Sequence, residues 1–304
     1  MKSKSNYLNQ TKQTTFSHFW MMFGILTCLL FFSNEIIAQD DGKEEKQWED
    51  FDPSNFDDNS INSTNDWFPL KPGMRLVYAG TTLDDDDNPV PHRVLIHVTG
   101  LVKMIEGVKC IVAWDLDYSR GQLVEAELAF YAEDKEGNVW RMGEYPEEYD
   151  EEGKFDAAPG WIGGIKKAIP GISMKANPWV DSPSYSQGWA PSVGFTDRGK
   201  VDQMGVKTCV PMGCYDNVLV VSETSLEEVG IFQLKYWAQG VGNVQVGFKG
   251  DDPSSELLEL VDVMQLGSEG IANLNEKALE LEASAYKHGK KFYGKTEPCF
   301  PRDK

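Results

Sequence analysis

The cysteines and histidines are the side chains of this chain with the most chemical potential, and the chain has only five and four of them. Cys209 and Cys214 flank Val-Pro-Met-Gly, a composition typical of a tight turn. The two side chains are therefore predicted to face each other across a hairpin and to form a disulfide. Cys110 and Cys299 could form a second pair. Cys110 also shares the inward side of a strand with Val112, and this fits a buried free thiol equally well.

The histidines and glycines match none of the common catalytic or cofactor motifs. His92, His97 and His288 lie outside the spacings of zinc ligands. The sequence has no G-x-S-x-G nucleophile elbow and no P-loop, and Gly240-Val241-Gly242 lacks the glycine and helix that complete a dinucleotide site. With 48 acidic residues against 29 basic ones, carboxylates are too abundant to single out a catalytic pair. We therefore expect no enzyme activity, no cofactor and no metal site, with a carboxylate-dependent hydrolase as an alternative.

One acidic loop has part of the spacing of a calcium site. Asp84, Asp86 and Asn88 match the first ligands of an EF-hand loop. The sixth position is Pro89, where the loop needs glycine, and the twelfth is Leu95, where it needs a bidentate glutamate. The run therefore indicates the charged tip of a hairpin rather than a calcium site.

The N-terminus predicts export. Residues 1–18 carry three lysines and no acidic residue, and residues 19–32 are an uncharged, almost wholly apolar run. Such a pattern, followed by a small residue, is typical of a secretory signal peptide, which we place at 1–38 with cleavage after Ala38. The run is shorter than the ~20 residues of a membrane-spanning helix, although an uncleaved anchor is the alternative. We expect a secreted or periplasmic protein.

The next segment, residues 39–66, holds ten acidic residues, two lysines and few apolar residues. Such a composition buries too little apolar surface to fold, so we predict an acidic, disordered linker. The whole chain has a formal net charge of −19 at pH 7. This charge repels nucleic acid and anionic membrane surfaces, so neither is expected as a partner.

Residues 67–267 are predicted to form a β-domain. The pattern is clearest at 230–238, where Phe232, Leu234 and Tyr236 alternate with polar residues, so one face of this strand is expected to be buried. Further strands are predicted at 74–80, 92–99, 108–117, 122–132, 138–143, 183–189, 194–208, 217–223, 243–248 and 257–265.

The stretch from Gly213 to Phe248 repeats, in weaker form, the stretch that begins at Gly107. An offset of 106 residues aligns Tyr236-Trp237-Ala238 with Phe130-Tyr131-Ala132, and the predicted buried faces agree. A single repeat of this length suggests two halves of one sheet. We predict a mainly β fold, an antiparallel curved sheet or half-barrel built from two duplicated meanders.

Two further segments complete the predicted architecture. Residues 145–192 are rich in glycine, proline and tryptophan and are predicted to form an irregular cover over the sheet. Residues 268–304 are the C-terminal helix and tail, with the helix at 272–289. The helix has one apolar face and is expected to pack on the sheet, while a protein partner for it is left open. The residues of that face are Leu274, Ala278, Leu281 and Ala285.

Aromatic residues on both faces of the sheet indicate where a ligand would bind. Tyr131 and Trp237 hold equivalent positions in the two meanders, opposite Phe130 and Tyr236. The second face must therefore also be covered, by the irregular segment or by the helix, and a covered curved sheet offers an apolar pocket. A filled two-layer core without a cavity is the alternative. The predicted ligand-binding residues are Tyr131, Trp140, Trp161, Trp179, Trp189 and Trp237.

Five segments carry a family resemblance: 67–73 (WFPLKPG), 131–140 (YAEDKEGNVW), 174–178 (MKANP), 215–218 (YDNV) and 236–242 (YWAQGVG). Over about 67–265 the chain resembles a widespread family of uncharacterised secreted bacterial β-rich proteins. The family has no agreed activity, so the resemblance implies an exported β-domain and supplies no mechanism. The chain departs from the family's Pro-Ala-Gly-Thr-Phe turn in having CVPMGC at 209–214. More distantly, half-barrel lipid carriers of bacterial envelopes have a similar plan of curved sheet and covering helix.

These observations together favour an exported, non-enzymatic β-domain that binds an apolar or amphipathic small ligand, such as a lipid. An extracellular structural or protein-interaction module is the first alternative, and a carboxylate-dependent hydrolase is the second.

Overall fold

Period-two alternation of apolar and polar residues builds sixteen strands into one antiparallel sheet. The computed structural model describes residues 46–84 and 86–302. The predicted signal peptide and the first part of the predicted linker, residues 39–45, lie outside the described residues. Within the described part of the chain, the sheet does not close and a single α-helix follows it, which confirms the predicted mainly β fold.

The predicted strands are present in the predicted order, most of them with different ends, and the predicted strand 183–189 is divided into two short ones. Strands that were not predicted form at 155–157, 161–162, 169–174 and 300–301. The strands are β1 (Met74–Leu83), β2 (Pro89–Ile105), β3 (Val108–Ser119), β4 (Gln122–Glu133), β5 (Val139–Tyr149), β6 (Phe155–Ala157), β7 (Trp161–Ile162), β8 (Ile169–Met174), β9 (Tyr185–Ser186), β10 (Gly188–Trp189), β11 (Arg198–Val210), β12 (Gly213–Thr224), β13 (Phe232–Ala238), β14 (Gly242–Lys249), β15 (Leu257–Gln265) and β16 (Phe300–Pro301). The helix is α1 (Ser268–His288), and short 3-10 helices span Pro53–Asn55, Pro191–Val193 and Tyr293–Lys295.

The two meanders lie side by side in the sheet. The strand order is β10-β8-β5-β4-β3-β2-β1-β15-β14-β13-β12-β11-β9. Strands β1 and β15 pair antiparallel and join the meander β2–β5 to the meander β11–β14. Equivalent strands of the repeat therefore follow one another in the same order across the sheet, as the repeat in the sequence predicts.

The segment from β9 to β10 touches both edges of the sheet. Tyr185–Ser186 pairs with β11, and two residues later Gly188–Trp189 pairs with β8. The backbones approach closely here, because a Cβ atom on Gly171 would lie only 2.2 Å from the amide nitrogen of Gly188. Since one short segment reaches both edges, the sheet is strongly curved and its concave face encloses a space.

The irregular segment 145–192 extends the edges of the sheet, where we predicted a cover over its face. Strands β6, β7 and β8 pair with β5, and β9 pairs with β11. An unpaired edge strand exposes backbone hydrogen-bonding groups, and these short strands satisfy part of them. The tryptophans of this segment are consequently placed at the rim of the sheet.

Helix α1 covers the outer face of the first meander only. Ala278, Leu281 and Ala285 pack in one buried cluster with Leu128 and Phe130. The apolar stripe of the helix therefore packs on the sheet, as the sequence predicts. In the described part of the chain, no helix is long and apolar enough to cross a bilayer.

Among residues 46–84 and 86–302, no helix covers the outer face of the second meander. Phe232, Leu234 and Tyr236 are half-buried, whereas Leu128 and Phe130 at equivalent positions of the first meander are fully buried. The two copies of the repeat therefore differ in what packs on them, although their strands correspond.

Residues 46–66 are packed on the sheet, so the prediction of a disordered linker is wrong for this part of the segment. Phe56 is buried beside Phe51 and Trp140 in the apolar cluster on the outer face of the sheet, and Ile61 is buried in the apolar cluster on its concave face. Backbone hydrogen bonds also join the segment to the sheet, for example from the Glu133 amide to the Ser60 carbonyl. A few apolar residues among the acidic ones anchor this segment to the sheet. The overall composition of the segment, which the acidic residues dominate, does not reveal them.

The predicted hairpin disulfide is present. Cys209 and Cys214 pair across the turn between β11 and β12 and are bonded. Cys110 and Cys299 are free. Cys110 lies on β3, which pairs with one edge of β2. Strand β16, which begins directly after Cys299, pairs with the other edge of β2. Two strand spacings place their Cα atoms roughly 10 Å apart, beyond the ~7 Å limit of a disulfide. Of the two alternatives, the structure therefore has the free thiol at Cys110.

A buried ion pair fastens helix α1 to β2. Lys103 is fully buried, and its Nζ donates to Glu282 Oε1 at 2.8 Å and to the Tyr286 hydroxyl at 3.2 Å. The same Nζ lies 4.1 Å from the ring centre of Tyr293. Glu282 also accepts hydrogen bonds from the Tyr293 hydroxyl and the Cys299 amide. Burial alone would raise the pKa of Glu282, but the hydrogen bond and charge of Lys103 outweigh it and the pKa is lowered.

We expect Glu282→Gln to lower the free energy of unfolding by about 3–5 kcal/mol, because it leaves the ammonium of Lys103 buried without an anion. The double variant Lys103→Met/Glu282→Gln removes both charges and should recover most of this loss. Equilibrium urea unfolding measures both.

The matched control is Glu280→Gln, at an exposed position of the same helix, which should change the free energy of unfolding by less than about 0.5 kcal/mol. If Glu282→Gln unfolds at the same urea concentration as the wild type, the ion pair does not hold the helix in place.

Candidate functional site

The concave face of the sheet encloses a cavity of about 250 Å³. An engineered protein cavity of about 150 Å³ already binds benzene, so this space is large enough for a small organic molecule. Most of the apolar lining residues lie on the central strands β1, β2, β14 and β15, and most of the charged ones lie on β3, β4, β5 and β13, nearer the edges of the sheet. These two parts of the lining are called the apolar end and the charged end below. The apolar end is lined by Leu70, Met74, Leu76, Val94, Ile96, Val98, Ala113, Val241, Val246 and Leu258, and the charged end by Asp115, Glu127, Arg141, Gln233, Lys235 and Glu256.

Three aromatic rings in contact with one another form part of the cavity wall. The ring of Phe68 lies 5.2 Å from that of Tyr131 and 5.0 Å from that of Trp237, measured between centroids. All three residues also line a second, smaller cavity of about 70 Å³ on the charged side. Phe68, Tyr131 and Trp237 are called the aromatic wall below.

The segment before β1 holds Phe68 in this wall. The side-chain oxygen of Asn65 accepts hydrogen bonds from the amides of Trp67 at 3.0 Å and Phe68 at 3.2 Å. The side-chain nitrogen of Asn65 donates to the carbonyl of Gly137 at 2.9 Å. Glu133 at the end of β4 accepts from the Asn65 amide in turn. Asn65 and Glu133 therefore fix the direction in which the chain approaches the sheet, and with it the position of Phe68.

Of the six residues predicted to bind a ligand, the structure brings Tyr131 and Trp237 together at the cavity. Trp140 lies on the outer face of the sheet, where its ring packs on Phe51 and Phe56 and its Nε1 donates to Asp134.

The other three predicted residues belong to the edge segment. Trp161 is buried against Phe195, with 5.0 Å between ring centroids. Trp189 packs on Trp48 at 5.6 Å, and Trp179 is 54% exposed. None of the three lines either cavity.

Arg141 is the main cation of the charged end. Its guanidinium pairs with Glu127 on the neighbouring strand and with Glu144 at 2.6 Å. It also lies 5.8 Å from the ring centre of Tyr131 and 5.5 Å from that of Phe195. Burial would lower the pKa of Arg141, but the surrounding carboxylates raise it, so this cation is permanent.

Lys235 supplies a cation from the other meander. Its Nζ pairs with Glu223 at 2.6 Å. Burial would lower the pKa of Lys235, and the charge of Glu223 and its hydrogen bond raise it. The two meanders thus each contribute one cation to the same interior space.

The carboxyl groups around these cations hold their protons unusually tightly. Burial, followed by the charge of Glu127, raises the pKa of Asp115 well above its ordinary value. Burial likewise raises the pKa of Glu144 to about 8 and that of Asp197 to about 6. Desolvation disfavours the charged form of each carboxyl group, and the charges of Arg141 and Lys235 do not offset this cost.

The histidines have structural roles near this end. His92 Nε2 lies 2.6 Å from Asp117 and its Nδ1 lies 3.2 Å from Glu256. Burial would lower the pKa of His92, but the hydrogen bond and charge of Asp117, with the charge of Glu256, raise it. His97 stacks on Trp114 at 5.0 Å, and burial lowers its pKa.

The loop that resembles an EF-hand caps its own hairpin. The carboxylate of Asp84 accepts hydrogen bonds from the backbone amides of Asp86 and Asn88, and it forms an ion pair with Arg120. Across residues 46–84 and 86–302, no group of three or more acidic, histidine or cysteine side chains is placed to hold a metal ion.

The charged end of the cavity is not evident from the sequence. Gln233 and Lys235 are the polar residues that alternate with Phe232, Leu234 and Tyr236 in β13, and a polar strand face is usually solvated. Glu127 in β4 follows the same alternation as Tyr131 and could have been grouped with it. The signal was available, because Tyr131 and Trp237 share a strand face with these charges, but the pattern does not reveal that this face is the interior.

Asp197 allows the electrostatics of the interior to be tested. Its pKa is about 6 in the folded protein, above the ordinary 3.8, because of burial and then the charge of Glu223. The native state therefore binds this proton more tightly than the unfolded state does. The resulting stabilisation is complete below about pH 3.8 and is lost as the pH rises through about 6.

We expect Asp197→Asn, which cannot ionise, to be more stable than the wild type by about 3 kcal/mol above pH 7 and nearly equally stable at about pH 4. Urea unfolding at a series of pH values measures this difference. The exposed Asp216→Asn variant removes the same charge and should show no such rise with pH. An advantage of Asp197→Asn that is constant with pH would contradict the raised pKa.

Comparisons with known proteins add little to this picture. No protein-family model matches the chain, and no curated protein matches its sequence. A Bacteroides fragilis protein of YmcC-like fold, provisionally described as exported, aligns with 65% of this chain and 98% of its own, at 11% identity and a TM-score of 0.37. A Parabacteroides distasonis protein provisionally described as a lipoprotein aligns with 66% of this chain and 99% of its own, at 13% identity and a TM-score of 0.28. Similarities this low carry no argument about the present chain.

Proposed function

We propose that this chain is an exported, non-enzymatic β-domain that binds one small amphipathic molecule in the cavity inside its sheet. The observation that carries the proposal is the division of the cavity into an apolar end and a charged end. Ligand sites typically combine a mostly apolar wall with a few polar groups that orient the ligand. Export is supported by the apolar run 19–32 and by the disulfide between Cys209 and Cys214.

The size of the cavity favours a small ligand. Its volume of about 250 Å³ is slightly below the ~300–1,000 Å³ of common ligand pockets. A single ring or a short alkyl chain fits this space, whereas a lipid with two acyl chains does not. Among the lipids and other apolar molecules proposed from the sequence, the structure therefore favours the small ones.

One observation favours a second candidate, a carboxylate-dependent hydrolase. Asp115 and Glu127 are direct partners across β3 and β4, both line the cavity, and the pKa of Asp115 is raised by burial and then by the charge of Glu127. A pair of neighbouring carboxyl groups, one of them with a raised pKa, is the usual arrangement for the acid and base of glycoside hydrolysis. Glu127 is already engaged by Arg141, which favours binding over catalysis. Product formation from a panel of glycosides, lost in Asp115→Asn, would establish the hydrolase instead.

The binding proposal is tested by filling the cavity. Ala113 on β3 is buried and lines its apolar end. We expect the wild type to bind the neutral probe 1-hexanol at a single saturable site in isothermal titration calorimetry. Ala113→Leu places additional carbon atoms in the cavity and should weaken this binding by about tenfold or more, since one buried CH₂ contributes about 0.8 kcal/mol.

The control makes the same chemical change on the exposed surface of α1. Ala272→Leu should bind 1-hexanol as the wild type does. Thermal unfolding of the unliganded variants shows that both are folded. Saturable binding that Ala113→Leu leaves unchanged would place the ligand elsewhere, and the absence of binding by neutral, anionic and cationic probes alike would refute the proposal.

A further inference from the structure

Carboxylates outnumber cations around the charged end of the cavity. The acidic residues that line the two cavities, which share Arg141, Lys235 and the aromatic wall, are Asp115, Glu127, Asp197, Glu223 and Glu256, and the basic ones are Arg141 and Lys235. Charges in such a partly desolvated space interact more strongly than they do in water. The interior is therefore electrostatically suited to an additional positive charge.

Both cations are already committed to carboxylate partners. Arg141 is paired with Glu127 and Glu144, and Lys235 is paired with Glu223. Asp115 makes no ion pair within the described part of the chain. Its Oδ1 is buried without a hydrogen-bond partner among the described residues. Asp115 is thus the cavity-lining carboxyl whose bonding capacity is left open.

The aromatic wall provides the second feature that a positively charged organic group requires. Faces of aromatic rings attract cations, and a ring cluster beside a carboxylate is the common arrangement for substituted ammonium groups. Trp237 is only 6% exposed, and its Nε1 has no hydrogen-bond acceptor in the described structure. This unsatisfied donor lies in a residue of the cavity wall, where an acceptor atom on another part of a bound molecule can satisfy it, whereas the ammonium group itself, which only donates, cannot.

We propose that the molecule bound in the cavity carries an organic ammonium group, which Asp115 holds beside the aromatic wall while the apolar part of the molecule fills the other end. This inference rests on the proposed function, because it names the chemical class of that ligand. An organic anion fits less well, since Arg141 and Lys235 are already paired with carboxylates and the other ionisable side chains that line the two spaces are acids.

Binding of such a ligand is linked to pH. Burial and the charge of Glu127 on β4 raise the pKa of Asp115, while Arg141 on β5 and Lys235 on β13 act in the opposite direction. The hydroxyls of Tyr78 and Tyr131, whose pKa values are also raised, face the same group. An ammonium group favours the ionised form of Asp115, so its binding releases a proton and strengthens as the pH rises.

Isothermal titration calorimetry with n-hexylamine, 1-hexanol and hexanoate tests the inference. The three probes have the same alkyl chain and differ in charge, and the amine stays protonated below about pH 9 because alkyl amines titrate near 10.4. At pH 7 we expect the amine to bind about tenfold or more tightly than the alcohol, and hexanoate to bind more weakly than both. The amine alone should bind more tightly at pH 8 than at pH 6.

Asp115→Asn keeps the shape of the side chain and removes its charge. It should reduce the preference for amine over alcohol to less than about threefold and leave the affinity for the alcohol within about twofold of the wild type. The control Asp216→Asn makes the same substitution at an exposed position and should keep the wild-type preference for the amine over the alcohol.

The outcomes separate the two proposals. Equal binding of the amine and the alcohol, or tighter binding of hexanoate, would overturn the ammonium inference while the ligand-binding function stands. Failure of all three probes to bind would overturn both. If Asp115→Asn does not fold, the ranking of the probes and the pH dependence in the wild type decide the question.

Discussion

The interior of this protein depends on the ion pairs that Arg141 makes. The sheet is so strongly curved that residues 185–189 pair with strands at both of its edges. This curvature encloses a face of the sheet that carries several carboxylates. Buried acids without cations would oppose folding strongly. Arg141 pairs with Glu127 and Glu144, packs on the ring of Tyr131, and is joined by Lys235 from the second meander. These two cations allow the sheet to curve around charged residues, and the space that remains between them and the apolar end is the cavity.

The two faces of the sheet are stabilised in different ways. The outer face of the first meander is a conventional packed layer, in which α1 buries its apolar stripe and the Lys103–Glu282 pair fixes its position. The inner face is closed by the sheet itself and by Phe68, which Asn65 and Glu133 position. Since close packing fills the outer layer and leaves a cavity in the inner one, a ligand is expected inside the sheet rather than under the helix.

Sequence reasoning succeeded where the signal is local. The disulfide followed from two cysteines around a short turn, and the strands followed from alternation, because both depend on neighbours in the chain. It failed where the partner is distant. The segment 46–66 looked like a solvated linker because its acids dominate the average, yet Phe56 and Ile61 anchor it to the sheet. The segment 145–192 was expected above the sheet, but its short strands pair with the edges of the sheet, whose position no local pattern reports.

The residue pattern is sufficient to predict a mainly β sheet of two meanders followed by one helix, with Tyr131 and Trp237 at equivalent positions. It does not predict which face of the sheet is the interior, because alternation separates two faces without indicating which of them meets solvent. The interior face follows from the curvature of the folded sheet. Curvature turned the face that carries Glu127, Arg141 and Lys235 inward, beside the two aromatic residues. A face that resembles a solvated one in the sequence is thereby the charged end of the cavity.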